Sequence, residues 1–164
     1  MRVQDLFIRD VATCHLETPL RQVGLLMRER TCGAIPVLDH RDRVVGMVTD
    51  RDMALSLAAS DHPATRMYAG DILSRPAHTI LRTATLREAL QAMHLHRVRR
   101  MPVVDADGVL CGLLSLTDLI LAAEDPRLAG PDALTYPELM ELMKALAADT
   151  GTLVSLEPSR LMTT

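Results

Sequence analysis

Short apolar runs and one amphipathic stretch alternate in the first third of the chain. The runs are typical of strands and lie at residues 11–16, 34–38 and 44–49. Between the first two runs, one helical face is predicted by the spacing of Leu20, Val23 and Met27. Thr18 is the expected cap of this helix and Pro19 its first residue. A further helix is predicted over residues 50–60, which gives the order strand, helix, strand, strand, helix.

The next third of the chain shows the same order. Thr85 and Glu88 stand three residues apart, as in a capping box at the start of a helix. The apolar face of that helix would consist of Leu86, Ala89, Leu90 and Met93. Asp107-Gly108 is a turn dipeptide between two apolar runs and predicts a hairpin.

An offset of 66 residues aligns these two thirds without a gap, with at least ten identities between positions 5 and 57 and their counterparts. The chain is therefore interpreted as a duplication followed by a tail, with units at residues 1–62 and 63–125 and the tail at 126–164. One such unit leaves a face of its sheet uncovered, so we expect the two to pack face to face. The predicted fold is α/β (α+β), with two β-α-β-β-α units.

The tail follows a different pattern. Gly130-Pro131-Asp132 interrupts regular structure, and residues 137–149 then predict a helix that stops near Gly151. Its apolar stripe is Leu139, Leu142, Met143 and Leu146. Methionines on such stripes, including Met27, Met93, Met140 and Met143, are interpreted as core residues. The sequence supports two hypotheses equally. The stripe either covers the protein's own surface or contacts a second chain.

Composition excludes several classes of protein. Of the 164 residues 48% are hydrophobic and the formal net charge is −3, which excludes intrinsic disorder and argues against a nucleic-acid-binding protein. Three aromatic residues are too few for a base-stacking platform. The sequence predicts neither a membrane span nor a signal peptide, and three scattered cysteines form no disulfide or zinc pattern. We therefore expect a cytoplasmic protein without a metal site.

One duplicated element combines a glycine, a hydroxyl and a carboxylate. Residues 46–52 end a strand and open a helix, with Thr49 at the cap and Asp52 three residues later, and Ser115 and Asp118 repeat this arrangement. One interpretation is a capping box alone, favoured also by the helix dipole. The other is a nucleotide site, in which the helix N-terminus and hydroxyl meet phosphate and the carboxylate accepts hydrogen bonds from a ribose.

Together with Gly33-Ala34-Ile35-Pro36-Val37 and Val98-Arg99-Arg100-Met101-Pro102-Val103, these elements resemble the signature of the cystathionine-β-synthase (CBS) domain. The resemblance covers residues 1–124 and both copies. It implies a Bateman module, with two units side by side in pseudo-two-fold symmetry and adenosine nucleotides in the clefts between them. It also implies that modules pair into homodimers.

The resemblance further implies which residues bind the ligand. Asp52 and Asp118 would hold ribose, and Thr49 and Ser115 would lie near phosphate. The complete predicted set is Thr13, Gly33, Ala34, Ile35, Thr49, Arg51, Asp52, His78, Thr79, Arg99, Arg100, Met101, Ser115, Thr117 and Asp118. Because residues 32–34 are neutral where residues 98–100 are cationic, the two clefts are expected to differ in affinity.

The densest positive patch contains His94, His96, Arg97, Arg99 and Arg100. It is interpreted either as a solvated helix end, where cations are favourable, or as a phosphate-binding surface with guanidinium groups suited to bidentate contact. DNA binding is a third interpretation, which lacks an accompanying recognition helix or basic arm.

No nucleophile with a paired base is visible, so we expect a binding protein and not an enzyme. The leading hypothesis is a regulatory module that senses AMP, ADP, ATP or a related adenosyl compound and signals through a dimer or an unknown protein partner. The alternative is an interaction scaffold that binds no nucleotide, in which the duplicated elements act only as helix caps.

Overall fold

The computed structural model describes residues 1–125 and 133–149. Its helices are α1 (Leu20–Glu29), α2 (Asp50–Ala58), α3 (Ala69–Ile72), α4 (Leu86–His96), α5 (Leu116–Glu124) and α6 (Tyr136–Asp149), and a 3₁₀ turn covers Val3–Asp5. Its strands are β1 (Cys14–His15), β2 (Ala34–Leu38), β3 (Val44–Thr49), β4 (Ile80–Leu81), β5 (Arg100–Val104) and β6 (Leu110–Ser115). The α/β class is confirmed, and every element of the first repeat begins 66 residues before its counterpart.

Each repeat forms its own three-stranded sheet, in the orders β1-β2-β3 and β4-β5-β6. The first pair in each sheet is parallel and the second is antiparallel. All five residues of the central strand β2 are buried, as are the last four of β5. Each sheet thus carries its own apolar cluster, to which residues of its helices also belong.

The helical faces predicted from spacing are confirmed in α1 and α4. Leu20, Val23 and Met27 are buried in α1, and the four predicted positions of α4 are buried as well. The start of α1 differs from the prediction, because Pro19 is the N-cap and Thr18 lies outside the helix. The Thr18 hydroxyl instead accepts a hydrogen bond from the His15 N–H at 3.0 Å, which closes the turn before the helix.

The first strand is shorter than the apolar run at residues 11–16 predicts. Only Cys14 and His15 pair with β2, opposite Val37 and Leu38. One residue earlier in the same register the partner would be Pro36, which has no N–H to donate. Since β2 ends at Leu38, the parallel ladder has room for two pairs.

The first turn of each repeat packs on the other repeat. The Val3 and Gln4 N–H groups donate to the carbonyls of Ala84 and Arg82 in the second repeat, and Val3 belongs to the second apolar cluster. In the same way, Ala69 donates to Thr18 and lies in the cluster of the first repeat. The repeats therefore exchange their opening segments in space, and the division at residues 62–63 and 125–126 stays a prediction.

Two glycines allow this exchange. A Cβ at Gly112 would lie 2.1 Å from the Ile8 carbonyl oxygen, and one at Gly46 would lie 2.0 Å from the Leu73 Cδ1. The crossing segments hydrogen-bond to the strands beside these glycines, as in the pairs Ile8–Leu113 and Ser74–Met47. The close neighbour of each glycine is thus the crossing segment of the other repeat.

The two hairpins meet at a pseudo-two-fold axis. Arg43 and Val109, which are equivalent in the repeats, face each other in an antiparallel bridge. On either side of them, the Val44 N–H donates to the Gly108 carbonyl at 3.3 Å, and the Leu110 N–H donates to the Asp42 carbonyl at 3.1 Å. This symmetric exchange confirms the predicted symmetry of the pair.

The tail helix α6 covers the second repeat. Leu139, Leu142 and Leu146 are buried in the cluster of that repeat, and Glu138 forms an ion pair with Arg87 of α4. The hypothesis that the stripe covers the protein's own surface is therefore confirmed for these three leucines. Residues 130–132 and Gly151, predicted to break and to end the helix, lie outside the described residues.

Two methionines of this helix differ from the prediction. Met140 and Met143 are 46% and 42% exposed, whereas Met27 and Met93 are buried as expected. The buried stripe runs from Leu139 to Leu142, three residues later, and to Leu146, four residues after that. Each exposed methionine directly follows one of these leucines. Their side chains therefore turn away from α4 and α5.

The packing of α6 can be tested with a pair of adjacent residues. Leu142→Ala should lower the free energy of unfolding by about 2–5 kcal/mol, because it leaves a cavity under the helix. Met143→Ala should change it by less than about 0.5 kcal/mol, as is usual at exposed positions. Urea unfolding of the full chain measures both, and equal losses would contradict the packing described here.

The close approach at Gly112 gives a second prediction. Gly112→Ala should destabilise the fold by about 1–3 kcal/mol, since the new methyl group meets a backbone carbonyl that cannot rotate away. Gly24→Ala is the matched control in the interior of α1, where the nearest atom is the flexible Met53 Cε at 3.3 Å. There the change should be neutral or stabilising by up to about 1 kcal/mol. A loss at Gly24 as large as that at Gly112 would contradict the account.

Candidate functional site

A cleft of about 650 Å³ lies between the repeats. Its first wall comes from the start of β2, the end of β3 and the start of α2. Its second wall comes from the loop between α4 and β5 and the first residue of β5, and its floor comes from the segment before β4. The tail contributes one side chain. The lining residues are Gly33, Ala34, Met47, Thr49, Asp50, Arg51, Ser74, Pro76, Ala77, His78, Arg97, Val98, Arg99, Arg100 and Leu146.

The start of α2 is a complete capping box. The Thr49 hydroxyl accepts from the Asp52 N–H at 3.1 Å, and Asp52 Oδ2 accepts from the Thr49 N–H at 2.9 Å and from its hydroxyl at 2.7 Å. The β-branched threonine ends the strand in an extended conformation, so its hydroxyl faces the first helical turn. The interpretation of this motif as a helix cap is therefore confirmed.

The second copy has the same geometry. Asp118 Oδ2 accepts from the Ser115 N–H and hydroxyl, each at 2.7 Å, and the Ser115 hydroxyl accepts from the Asp118 N–H at 3.3 Å. In both boxes only Oδ2 is used, and Oδ1 accepts no hydrogen bond from the described residues. Both carboxylates are half-buried. Capping therefore leaves one oxygen of each carboxylate for another partner.

The N–H groups in the first turn of α2 are already occupied. The Asp50 N–H donates to the Gly33 carbonyl at 3.1 Å, and the Arg51 N–H donates to Asp50 Oδ1 at 2.8 Å. With the Asp52 N–H on Thr49, no donor of this turn is left for a ligand. The expectation that this helix N-terminus meets phosphate is therefore not met by its main-chain groups in the present arrangement.

Four guanidinium groups supply the positive charge of the cleft. One belongs to Arg51 at the start of α2. The others belong to Arg97 and Arg99 in the loop across from it and to Arg100 at the start of β5. Arg97 is in the left-handed conformation with φ of 52°, which ends α4 and turns the chain into this loop. Within residues 1–125 and 133–149, Arg51, Arg99 and Arg100 form no ion pair with a carboxylate. Unpaired cations on a concave surface favour an anionic ligand.

Two histidines stack at the edge of the cleft. The rings of His78 and His96 are 3.8 Å apart between centroids and inclined by 11°. Partial burial and then the neighbouring His96 lower the pKa of His78 from its usual 6.5. Among the described residues no group of three or more histidine, cysteine or acidic side chains could hold a metal ion, and no helix is long and apolar enough to cross a membrane.

The structure brings together part of the predicted site. Seven predicted residues line the cleft: Gly33, Ala34, Thr49, Arg51, His78, Arg99 and Arg100. Six others do not line it and are partly or fully exposed: Thr13, Asp52, Thr79, Ser115, Thr117 and Asp118. The side chains of Ile35 and Met101 lie in the two apolar cores, so only their main chains could contact a ligand.

Eight lining residues were absent from the predicted set: Met47, Asp50, Ser74, Pro76, Ala77, Arg97, Val98 and Leu146. Asp50 stood inside the recognised motif, and Arg97 stood inside the positive patch, so both had a signal in the sequence. Leu146 had none, because its position depends on where the tail helix packs. Only part of the positive patch faces the cleft. Its lining includes Arg97, Arg99 and Arg100 but not His94.

Comparison with known proteins gives a consistent family. The family model for the CBS domain matches residues 3–59 and 69–125. An uncharacterized protein of Methanopyrus kandleri, MK0525, is 28% identical over 112 residues, which are 68% of this chain and 57% of that protein. Inosine-5'-monophosphate dehydrogenase of Thermoplasma acidophilum is 31% identical over 76% of this chain, which spans only 24% of the enzyme.

Solved structures agree. The crystal structure of CBSX2 in complex with AMP, a CBS-pair protein of Arabidopsis thaliana, has a TM-score of 0.65 and 25% identity. The match covers 75% of this chain and 96% of that one. The likeness extends over both repeats.

The stacked histidines predict a pH dependence. Because the pKa of His78 is lower in the folded chain, the unfolded chain binds the proton more readily, and stability falls as the pH drops through 6.5. Above that pH this contribution is fully present. We expect the free energy of unfolding to decrease between about pH 7.5 and pH 5.5, and less so in His78→Gln. His62→Gln, at an exposed loop position, is the matched control, and an equal pH dependence in all three proteins would contradict the assignment.

Proposed function

This chain belongs to the CBS domain family, and we propose that it is a regulatory module that binds an adenine nucleotide in the cleft between its repeats. AMP, ADP, ATP and related adenosyl compounds share the chemistry that the cleft offers. The observation that carries the proposal is the group of four arginines, three without a carboxylate partner among the described residues, around a cavity between two repeats.

The size and the lining of the cleft support a small ligand. Its volume of about 650 Å³ lies within the ~300–1,000 Å³ that is usual for small-molecule sites. Apolar side chains from Met47, Val98 and Leu146 offer a surface for a base, and the guanidinium groups suit phosphate oxygens. CBSX2, which has the same fold and was solved with AMP, is an example of a relative that binds such a ligand.

The capping carboxylates are the proposed ribose ligands. Oδ1 of Asp52 accepts no hydrogen bond from the described residues, and a ribose has two neighbouring hydroxyl donors. Asp52 stands directly behind the lining residues Asp50 and Arg51, so a ligand that enters beside α2 would reach it after a small adjustment of the first turn. Asp118 would play the same part in a second, equivalent site.

Regulation would follow from the position of the cleft. A ligand held by residues of both repeats binds only their closed packing and therefore stabilises it by mass action. The occupied module becomes a signal if a partner protein or a second module binds the closed arrangement more tightly than the open one. In this proposal the chain has no catalytic step of its own.

The role of the two carboxylates can be tested by calorimetric titration of AMP and ATP. In the Asp52→Ala, Asp118→Ala double variant each site loses charge-assisted hydrogen bonds worth about 1.5–3 kcal/mol. A net loss of about 2–3 kcal/mol corresponds to ~30- to 150-fold weaker binding. Equal affinity in the two proteins would remove these carboxylates from the site.

A third capping box provides the control. Thr85 and Glu88 open α4 with the same hydrogen bonds, at 2.7 Å from the Thr85 N–H and 2.9 Å from its hydroxyl, and neither residue lines the cleft. Glu88→Ala should therefore reproduce the loss of a cap without a loss of nucleotide affinity. Weakening by Glu88→Ala as large as that of the double variant would show a stability effect and not a ligand contact.

The completed caps also favour a second candidate, an interaction scaffold that binds no nucleotide. Every capping bond required by that candidate is present in both copies. It predicts no thermal shift with millimolar AMP or ATP, whereas nucleotide binding predicts a rise in melting temperature that grows with ligand concentration.

A further inference from the structure

One acidic side chain lies inside the cationic cleft. Asp50 is exposed at the start of α2 and lines the cleft together with the four arginines. Its Oδ1 accepts from the Arg51 N–H at 2.8 Å, and its own N–H donates to the Gly33 carbonyl at 3.1 Å. The carboxylate thus sits where an anion would otherwise meet the helix N-terminus.

The neighbouring glycine leaves room for this carboxylate. A Cβ at position 33 would lie 2.8 Å from Asp50 Oδ2, closer than a carbon and an oxygen can pack. In the second repeat the equivalent residues are Arg99 and Leu116, and there too the Leu116 N–H donates to the Arg99 carbonyl, at 2.8 Å. The main-chain bond is therefore common to both repeats, while the pair of glycine and carboxylate belongs to the first repeat alone.

The charge of the cleft is equally one-sided. By the 66-residue offset, the positions equivalent to Arg51, Arg97, Arg99 and Arg100 are Thr117, Thr31, Gly33 and Ala34. None of these four carries a charge. The repeats are symmetric in their backbone, so Arg51 and Arg97 distinguish this cleft from its symmetry-related counterpart. Arg99 and Arg100 do not, because their offset partners Gly33 and Ala34 line this same cleft.

From these observations we propose that the cleft selects a nucleoside di- or triphosphate, whose phosphate chain lies on Arg97, Arg99 and Arg100 because Asp50 closes the start of α2 to it. Asp50 is then a specificity-determining residue, which repels phosphate from one wall and leaves the other wall to bind it. The proposal rests on the proposed function for the identity of the base and names the ligand class of that same cleft.

Repulsion and attraction act on different parts of the ligand. The phosphates of AMP, ADP and ATP extend progressively further from the ribose, so contacts with several guanidinium groups increase along this series. Adenosine has no phosphate and gains nothing from the arginines. The cleft should therefore bind ATP more tightly than AMP, and AMP more tightly than adenosine.

The test is a calorimetric titration of the full chain with adenosine, AMP, ADP, ATP and inorganic tripolyphosphate. In the Arg99→Gln, Arg100→Gln variant, ATP affinity should fall about 10- to 100-fold, because two charge-assisted contacts are lost. Adenosine affinity should fall far less. Arg21→Gln, on the exposed surface of α1, is the control for a loss of positive charge.

Two substitutions of Asp50 separate its charge from its hydrogen bond. Asp50→Asn removes the charge but can still accept from the Arg51 N–H, and Asp50→Leu, which installs the residue type of position 116, removes both. Affinity for ATP and tripolyphosphate should rise about three- to tenfold in Asp50→Leu and by less in Asp50→Asn. Circular dichroism and the melting temperature verify that both variants fold.

The outcomes distinguish the two proposals. Weaker ATP binding in Asp50→Leu would overturn the inference, since Asp50 would then hold the ligand, and so would equal affinities for adenosine and ATP. Tripolyphosphate could bind and respond to these substitutions while adenine nucleotides bind no more tightly than tripolyphosphate. That result would support phosphate binding by the arginines and would contradict the adenine-nucleotide function. If none of the five compounds binds, both fail.

Discussion

The exchange of opening segments between the repeats is the constraint on which the rest of the structure depends. Each three-stranded sheet is extended by a segment of the other repeat, and each segment lies against a glycine that leaves no room for a side chain. Separating the units would remove Val3 and Phe7 from one core and Met67 and Ala69 from the other. The cleft inherits this constraint, because Ser74, which pairs with Met47, is also one of its lining residues.

The sequence predicts the elements better than their exchange. The strands at residues 34–38 and 44–49 and the buried faces of α1 and α4 follow from apolar spacing, because burial in each unit is a local matter. Each opening turn could pack either on its own repeat or on the other one. An alignment of the repeats does not distinguish these two arrangements, because the two surfaces are equivalent. Gly46 and Gly112 occupy equivalent positions in the repeats, but no local pattern identifies the segment that packs against each of them. Met143 illustrates the same limit, since its exposure depends on how α6 is rotated against α4.

Some parts of the candidate site could likewise be predicted from the sequence, and others could not. Helix caps are short-range, so both capping boxes could be predicted from residue types three positions apart. The inclusion of Leu146 could not, because it comes from a helix outside the repeats. Ile35 and Met101 belonged to the predicted ligand set through the family motif, but their strands are buried on both faces and direct these side chains into the cores. A family motif therefore predicts which backbone segments form a site, but it does not predict which of their side chains face the ligand.

Divergence between the repeats, and not the features they share, gives the cleft its chemistry. Shared features such as the caps, the glycines and the paired hairpins are accounted for by folding, since each satisfies a backbone group or permits a close approach. Arg99 and Arg100 stand where the first repeat has Gly33 and Ala34, at the same positions of the backbone. Neighbouring cations such as these repel one another and weaken the fold unless an anion compensates them. Because the first repeat folds with uncharged residues there, the charge supports the proposed anionic ligand.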